Sequence, residues 1–180
     1  MDPRSFPCQL ISWDEAYRLS RKLARAVKSS CYNPDLVVAV GRGGYVPARI
    51  VCDFLLHSLL TSIKIEHWDI AACKRPQAVV RFPLSVDVRD HKILIVDDVT
   101  DTGDTLRAAI DYVKSQGAGQ IKTAVMQHKT TSTLVPHFYA DLISSVEGEI
   151  LREILDDLVD LKKAIRYQEM YNKRMRPKGI

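Results

Sequence analysis

The sequence has little of what marks a secreted, membrane-spanning or metal-clustered protein. Its four cysteines form no C-x-x-C pair, so neither a zinc site nor a disulfide framework is indicated, and free thiols are expected. The start, MDPRSFPCQL, has an acid and two prolines where a signal peptide would need an apolar core. The longest apolar stretch, Ala48 to Ile63, is interrupted by Asp53 and His57 and is too short to span a bilayer. We therefore expect a soluble, cytoplasmic protein that does not bind membranes.

The sequence also has only a small excess of charge of one sign. The 26 basic residues against 22 acidic ones give a net charge of +4, and the basic residues are scattered except in the tail KRMRPK. A balance this mild does not indicate a nucleic-acid partner. The chain of 180 residues, 46% of them hydrophobic, is long enough for one well-buried domain over residues 1–180, with its core at about 11–145.

Strand patterns alternate with helix patterns along this domain. Ser12 and Glu15 form a capping box, and an apolar period then predicts a helix to about Ser29. Continuous apolar runs predict buried strands, the clearest being Asp35 to Val40 and Ile93 to Val96. Further predictions are helices starting near Pro47 and spanning 103–116, strands SIKIEH, AVVRF, IKTAVMQHK and YADLI, a flexible loop at 68–77 and a long C-terminal helix at 149–171. This order predicts an α/β fold with a mainly parallel twisted sheet flanked by helices.

Two unusual loops each follow a buried strand. One is GRGG, Gly41 to Gly44, and the other is DDVTDTGDT, Asp97 to Thr105. In a parallel sheet, ligands bind at the carboxyl ends of the strands, so both loops belong at the same edge. One ligand could contact both.

The residue types of the second loop indicate what that ligand is. A turn of small residues at a helix start, Thr102 to Thr105, offers backbone N–H groups and hydroxyls to a phosphate, which the helix dipole also favours. Asp104 fits this turn if its backbone donates while its side chain points outward. Asp97 and Asp98 suit sugar hydroxyls or a magnesium ion, because hard cations take oxygen ligands. A ribose 5-phosphate meets both requirements.

A structural interpretation of the same acids is that they cap a helix and face water, as a lone acidic turn usually does. Three acids against a buried strand, with a glycine-rich loop at the same edge, favour a binding site instead. No G-x-x-x-x-G-K-[ST] occurs, which excludes a P-loop NTPase. A receiver domain would need an aspartate ending the next strand, where His128 and Lys129 stand, and a haloacid dehalogenase would need D-x-D.

The stretch ILIVDDVTDTGDT closely resembles the PRPP-binding motif of the type I phosphoribosyltransferases, and VAVGRGGYVPAR resembles the pyrophosphate loop of the same family. The resemblance covers roughly Ile11 to Ile143 and is greatest to microbial, especially archaeal, enzymes for 6-oxopurines. It implies the type I phosphoribosyltransferase fold, PRPP and a purine base as ligands, Mg²⁺ as cofactor, and a homodimer. The implied reaction yields a purine nucleotide and pyrophosphate, as in purine salvage.

The resemblance also implies a role for each acid and base of the two motifs. Asp97 and Asp98 would bind the ribose hydroxyls, with Asp98 the main and Asp97 the second contact to magnesium. Asp101 would be the general base that takes the N7 proton of the purine. Lys129 would donate to the 6-oxo group.

The phosphate groups have their own implied partners. Thr102, Gly103, Asp104 and Thr105 would surround the 5-phosphate. Arg42 and Gly43 would bind the departing pyrophosphate, which makes Arg42 a catalytic residue too, and the peptide between them would be a non-proline cis bond.

The sequence departs from the family pattern where the base should stack. The segment after the last strand, Ser144 to Leu151, carries no aromatic residue, so Trp68 or an aliphatic pocket would have to substitute. Two alternatives stay open: a non-catalytic PRPP-binding regulator, and a phosphoribosyltransferase for adenine or a pyrimidine. Retention of Asp101, Arg42 and Gly43 favours an enzyme.

Overall fold

The computed structural model describes residues 9–68, 74–144 and 149–151, with side chains described for 11–66 and 78–144. Three helices alternate with the strands. They are α1 (Trp13–Ser29), α2 (Tyr45–Leu55) and α3 (Asp104–Ser115). The strands are β1 (Gln9–Ile11), β2 (Leu36–Gly41), β3 (Leu60–Trp68), β4 (Lys74–Phe82), β5 (Lys92–Thr100), β6 (Gln120–Lys129), β7 (Phe138–Ile143) and β8 (Glu149–Leu151).

Six of these strands form one sheet in the order β4-β3-β2-β5-β6-β7. All neighbouring pairs are parallel except β3 with β4, which form an antiparallel hairpin. β1 and β8 pair separately as a parallel two-stranded sheet. The predicted mainly parallel α/β architecture is confirmed.

Helices cover the six-stranded sheet on both faces, because the central strands are apolar on both faces. Val37 and Ala39 of β2 pack with α1 and α2, whereas Val38 and Val40 of the same strand pack with α3. A strand buried on both sides must be apolar at every position, which explains the unbroken run LVVAV. The helices therefore enclose the strands and leave the strand ends as the exposed edges.

The predicted bounds of α1 and α3 and the predicted start of α2 are confirmed to within two residues. Ser12 caps α1 by accepting a hydrogen bond from the Glu15 amide at 3.2 Å, and the predicted inner face is buried at Ala16, Leu19, Leu23 and Val27. α2 begins at Tyr45, two residues before the predicted Pro47. α3 follows the predicted period, with Leu106, Ala109 and Val113 buried.

Three boundary predictions were wrong. β5 continues past Val96 to Thr100, because its backbone stays paired with β6 through His128, so Asp97 and Asp98 are strand residues. Part of the predicted loop 68–77 is strand, since Trp68 pairs with Lys74 across the hairpin, and residues 69–73 lie outside the described range. Residues 149–151 pair with β1 instead of starting a helix. The remainder of the predicted C-terminal helix, 152–171, lies outside the described residues.

Within the described residues, none of the helices combines the length and the apolar composition needed to cross a bilayer.

Tyr32 ties the segment after α1 to the central strand, and its titration provides a test of this packing. Its hydroxyl donates to the carbonyl oxygen of Ile93 at 2.9 Å. Burial, with a smaller effect of the Asp35 charge, raises the pKa of Tyr32 to about 12 from an ordinary value of 10.0. The folded state therefore favours the neutral phenol, and this stabilisation is complete below the unfolded-state pKa and is lost as the pH rises through the folded-state pKa.

We expect Tyr32→Phe to unfold with a free energy about 1 kcal/mol lower at neutral pH, because one buried hydrogen bond is lost. Between about pH 10 and about pH 12 the wild-type protein should lose stability faster than the variant, since only the wild type has this phenol to ionise. Denaturant titrations of both proteins across this range measure the difference. Parallel pH dependences would contradict the assignment.

Candidate functional site

The carboxyl ends of three adjacent strands meet at one edge of the sheet. β2 ends at Gly41, β5 at Thr100 and β6 at Lys129, and the strand order places β5 between the other two. The glycine-rich loop, the acidic stretch and Lys129 therefore lie at a common edge, as the sequence predicted.

The first loop turns directly from β2 into α2. The peptide between Gly41 and Arg42 is cis. The expectation of a cis bond in this loop was right but its position was wrong by one residue, because the bond precedes Arg42 instead of following it. The amide of Gly44 donates to the carbonyl of Val40 at 2.9 Å, which closes the turn and leaves the Arg42 side chain exposed.

Two glycines allow this loop to lie against β5. A Cβ atom added at Gly43 would collide with the carboxylate of Asp98, and one added at Gly44 would collide with the carbonyl oxygen of Val96. A side chain at either position would separate the loop from the strand. The Gly43 backbone and the Asp98 carboxylate consequently form adjoining walls of one site.

The paired acids are held by backbone amides at the end of β5. Asp97 is 6% exposed and accepts a hydrogen bond from the Asp98 amide at 3.0 Å. Asp98 accepts one from the Val99 amide at 2.8 Å. Burial and then the charge of Asp98 raise the pKa of Asp97 well above its usual range. This arrangement favours a bound cation, because a cation would offset both the cost of burying Asp97 as an anion and its repulsion by Asp98.

The donor set fits magnesium bound together with a ligand. No cluster of three or more His, Cys, Asp or Glu side chains able to hold a metal occurs among the described residues. Magnesium characteristically uses one or two carboxylates and completes its octahedron with water and substrate phosphates. Asp98 and Asp97 could supply the protein's share of such a site.

The turn predicted to bind a phosphate, Thr102 to Thr105, lies at the N-terminus of α3. Gly103 caps this helix with a φ of 91°, a left-handed conformation that glycine adopts readily. A Cβ at this position would also come within 2.7 Å of the Leu134 Cβ. The amides that begin α3 thus have the placement that favours an anion.

Asp104 departs from the expected outward orientation. Its carboxylate accepts a hydrogen bond from the Thr102 hydroxyl at 2.8 Å, and its own amide reaches that hydroxyl at 3.4 Å. Thr102 and Asp104 therefore form a small closed turn at the start of the helix.

The predicted base and the predicted purine donor form an ion pair. The Lys129 ammonium lies 3.5 Å from a carboxylate oxygen of Asp101, with side-chain exposures of 6% and 41% respectively. The loop after β6 contacts this region, since the Ser132 amide donates to the Lys129 carbonyl and the Thr133 amide to the carbonyl of Thr102, the residue after Asp101. Asp101 is accessible to a ligand while Lys129 is largely enclosed.

Lys64 is a site residue that the sequence reasoning missed. It pairs in register with Gly41, and its ammonium lies 3.4 Å from the Gly41 carbonyl oxygen. Burial and the nearby positive charge of Arg42 lower the pKa of Lys64. The signal in the sequence was the alternation in SIKIEH, which sets Lys64 and Glu66 apart from the apolar positions of the strand.

The predicted base-stacking region falls mostly outside the described part of the chain. The side chain of Trp68 is not among those described, and neither are residues 145–148 nor the side chains of 149–151. The described site therefore consists of the two loops, the diacid, Lys64 and the Asp101–Lys129 pair.

Comparison with known proteins agrees with this geometry. The sequence profile of the phosphoribosyl transferase domain matches residues 9–157. The hypoxanthine-guanine phosphoribosyltransferase of Saccharomyces cerevisiae is 30% identical over 131 residues, which cover 63% of this chain and only 58% of the yeast protein. The xanthine-guanine phosphoribosyltransferase of Cereibacter sphaeroides is 32% identical over 133 residues, covering 65% of this chain and 78% of that protein.

A solved structure extends the likeness to the fold. The purine phosphoribosyltransferase from Pyrococcus horikoshii superposes with a TM-score of 0.70 at 28% identity, covering 82% of this chain and 93% of that one. Residues 9–157, which the sequence profile matches, include every described strand and helix that positions the site. The chain therefore belongs to the phosphoribosyl transferase domain family.

Proposed function

We propose that the protein transfers the 5-phosphoribosyl group of PRPP to a 6-oxopurine, namely hypoxanthine, guanine or xanthine, and releases pyrophosphate in purine salvage. The observation that carries the proposal is the Asp101–Lys129 pair, in which Asp101 follows Asp98 by three residues at the shared edge of the sheet. An acceptor and a donor side by side match the N7 proton and the 6-oxo group of such a base. The relatives named for hypoxanthine, guanine and xanthine support the same substrate class.

The reaction exchanges one bond at C1 of the ribose for another. The bond from C1 to the pyrophosphate oxygen breaks, the purine N9 bonds to C1, and the N7 proton passes to the carboxylate of Asp101. The Asp101 side chain is 41% exposed, so its carboxylate can be reached by a base that binds at this edge. Lys129 donates to the 6-oxo group and thereby orients N7 toward Asp101.

The charges at the edge match the two ends of PRPP. The amides of the Thr102–Thr105 turn bind the 5-phosphate at the start of α3. Arg42, with Lys64 close to the same loop, offsets the charge that develops on the departing pyrophosphate. Gly43 adds a backbone surface that the pyrophosphate can approach closely.

Magnesium belongs to the proposal as the cofactor. When bound, it neutralises negative charge on the pyrophosphate and orients the ribose. Asp98 and Asp97 would hold it, and their adjacent carboxylates have the oxygen chemistry that the ion prefers.

A cytoplasmic homodimer completes the proposal. Cys31 and Cys52 are free thiols, which suits a reducing compartment. Trp13 and Tyr17 are exposed aromatic side chains on α1, which suits burial against a second copy.

The direct test mixes the protein with PRPP, Mg²⁺ and one base at a time from hypoxanthine, guanine, xanthine, adenine, uracil and orotate, and measures pyrophosphate release. We expect release with at least one of the three 6-oxopurines. No release with any base would exclude the enzyme, and release only with a pyrimidine would exclude the purine assignment. Binding of PRPP without release would favour the regulator alternative.

The role of Asp101 is tested by Asp101→Ala. We expect kcat to fall about a hundredfold or more, because the variant lacks the group that accepts the proton. PRPP binding, measured by calorimetry, should be retained. Asp111→Ala is a matched control, since Asp111 is an exposed acid on α3 away from the strand ends. Unchanged turnover in Asp101→Ala would show that another group takes the proton.

A further inference from the structure

The last residue pair in the register of β5 and β6 is joined by a side-chain hydrogen bond that the proposed reaction does not use. Thr100 and His128 are register partners there, 2% and 5% exposed. The Thr100 hydroxyl lies 2.9 Å from Nδ1 of the His128 imidazole. Asp101 directly follows one of these residues and Lys129 directly follows the other.

The link is well enclosed. The His128 ring packs against Tyr139 of β7 with 5.2 Å between ring centroids, which restricts its rotation. Burial lowers the pKa of His128, so the ring is neutral at physiological pH. A neutral imidazole has one N–H and one bare nitrogen, and a threonine hydroxyl can donate or accept, so the bond forms with either tautomer.

Asp101 and Lys129 gain little rigidity from their own contact. The Lys129 side chain is enclosed, but the two charged atoms are 3.5 Å apart and the Asp101 side chain is 41% exposed, so this long contact alone holds Asp101 loosely. The hold on the preceding residues, Thr100 and His128, therefore contributes to the directions in which the two side chains leave the sheet. Misplacement of a catalytic group by about 1 Å can cost about a hundredfold in rate.

We propose that Thr100 and His128 are positioning residues, whose hydrogen bond clamps the ends of β5 and β6 and thereby aligns Asp101 and Lys129 on the same base. This inference rests on the proposed function. Neither residue is assigned contact with substrate, so the effect of losing the bond falls on the alignment of the base rather than on PRPP binding.

The chain contains a matched control for this pair. Thr123 of β6 is 1% exposed, and its hydroxyl lies 3.1 Å from Nδ1 of His137. Burial lowers the pKa of His137 as well. Thr123 pairs with Ile95 in the middle of the sheet, five residues before His128. The Thr123 hydroxyl also accepts from the His137 amide at 3.1 Å, so its loss removes at least as much hydrogen bonding, away from the carboxyl ends of the strands.

The experiment compares Thr100→Val with Thr123→Val, each of which replaces the hydroxyl by a methyl group of similar size. We expect Thr100→Val to lower kcat about tenfold or more while the KM for PRPP stays within about twofold. Thr123→Val should keep the wild-type kcat, while the two variants should lower the unfolding temperature by similar amounts. Thr100→Ser, which retains the hydroxyl, should recover most of the lost kcat.

A double-mutant cycle with His128→Leu identifies the partner. Because each change breaks the same bond, Thr100→Val and His128→Leu together should lower kcat no more than the larger single effect. Multiplicative losses would overturn the pairing. If kcat is unchanged in Thr100→Val, or if Thr123→Val loses as much kcat, the positioning role is overturned. The proposed function would still stand in either case, provided that the wild-type protein turns over. A wild-type protein inactive with every base would overturn both.

Discussion

The carboxylate of Asp98 lies directly against the Cα of Gly43, and this contact joins the two loops of the site. It exists because β2 and β5 are adjacent parallel strands and because no side chain stands between the loop and the strand. Gly44 meets the Val96 carbonyl in the same way. The rest of the candidate site depends on this approach, because it brings Asp97 and Asp98 close enough to the glycine-rich loop for one ligand to contact both.

The basic and the acidic side chains occupy separate, neighbouring positions along this edge of the sheet. Arg42 and Lys64 stand at the glycine loop, where their mutual repulsion and burial favour an anion. Asp97 and Asp98 stand beside them, where burial and repulsion between like charges favour a cation. A pyrophosphate ester bound with a metal ion would relieve both kinds of repulsion. Lys64 and Asp97 partly offset each other, and under the proposed function PRPP with magnesium would offset the remainder.

Local pattern was enough to predict the mainly parallel sheet, the helices α1, α2 and α3, and the common edge at which the two loops lie. The apolar run predicts β2, and the small residues Thr102 to Thr105 predict a helix start, because each signal is contained within a few residues. Register between distant strands carries no such signal, so the pairing of Thr100 with His128 and the approach of Lys64 to Gly41 emerged only from the structure. The β1–β8 pairing was missed for the same reason.

The most direct measurement is calorimetric titration of PRPP with Mg²⁺ into the wild-type protein and Gly43→Ala, with the unfolding temperature of each recorded. The added Cβ would displace either the loop or the Asp98 carboxylate, so the account predicts an affinity at least about tenfold lower in a variant that remains folded. Equal affinities in two folded proteins would show that the two loops do not bind one ligand together, and would contradict the account.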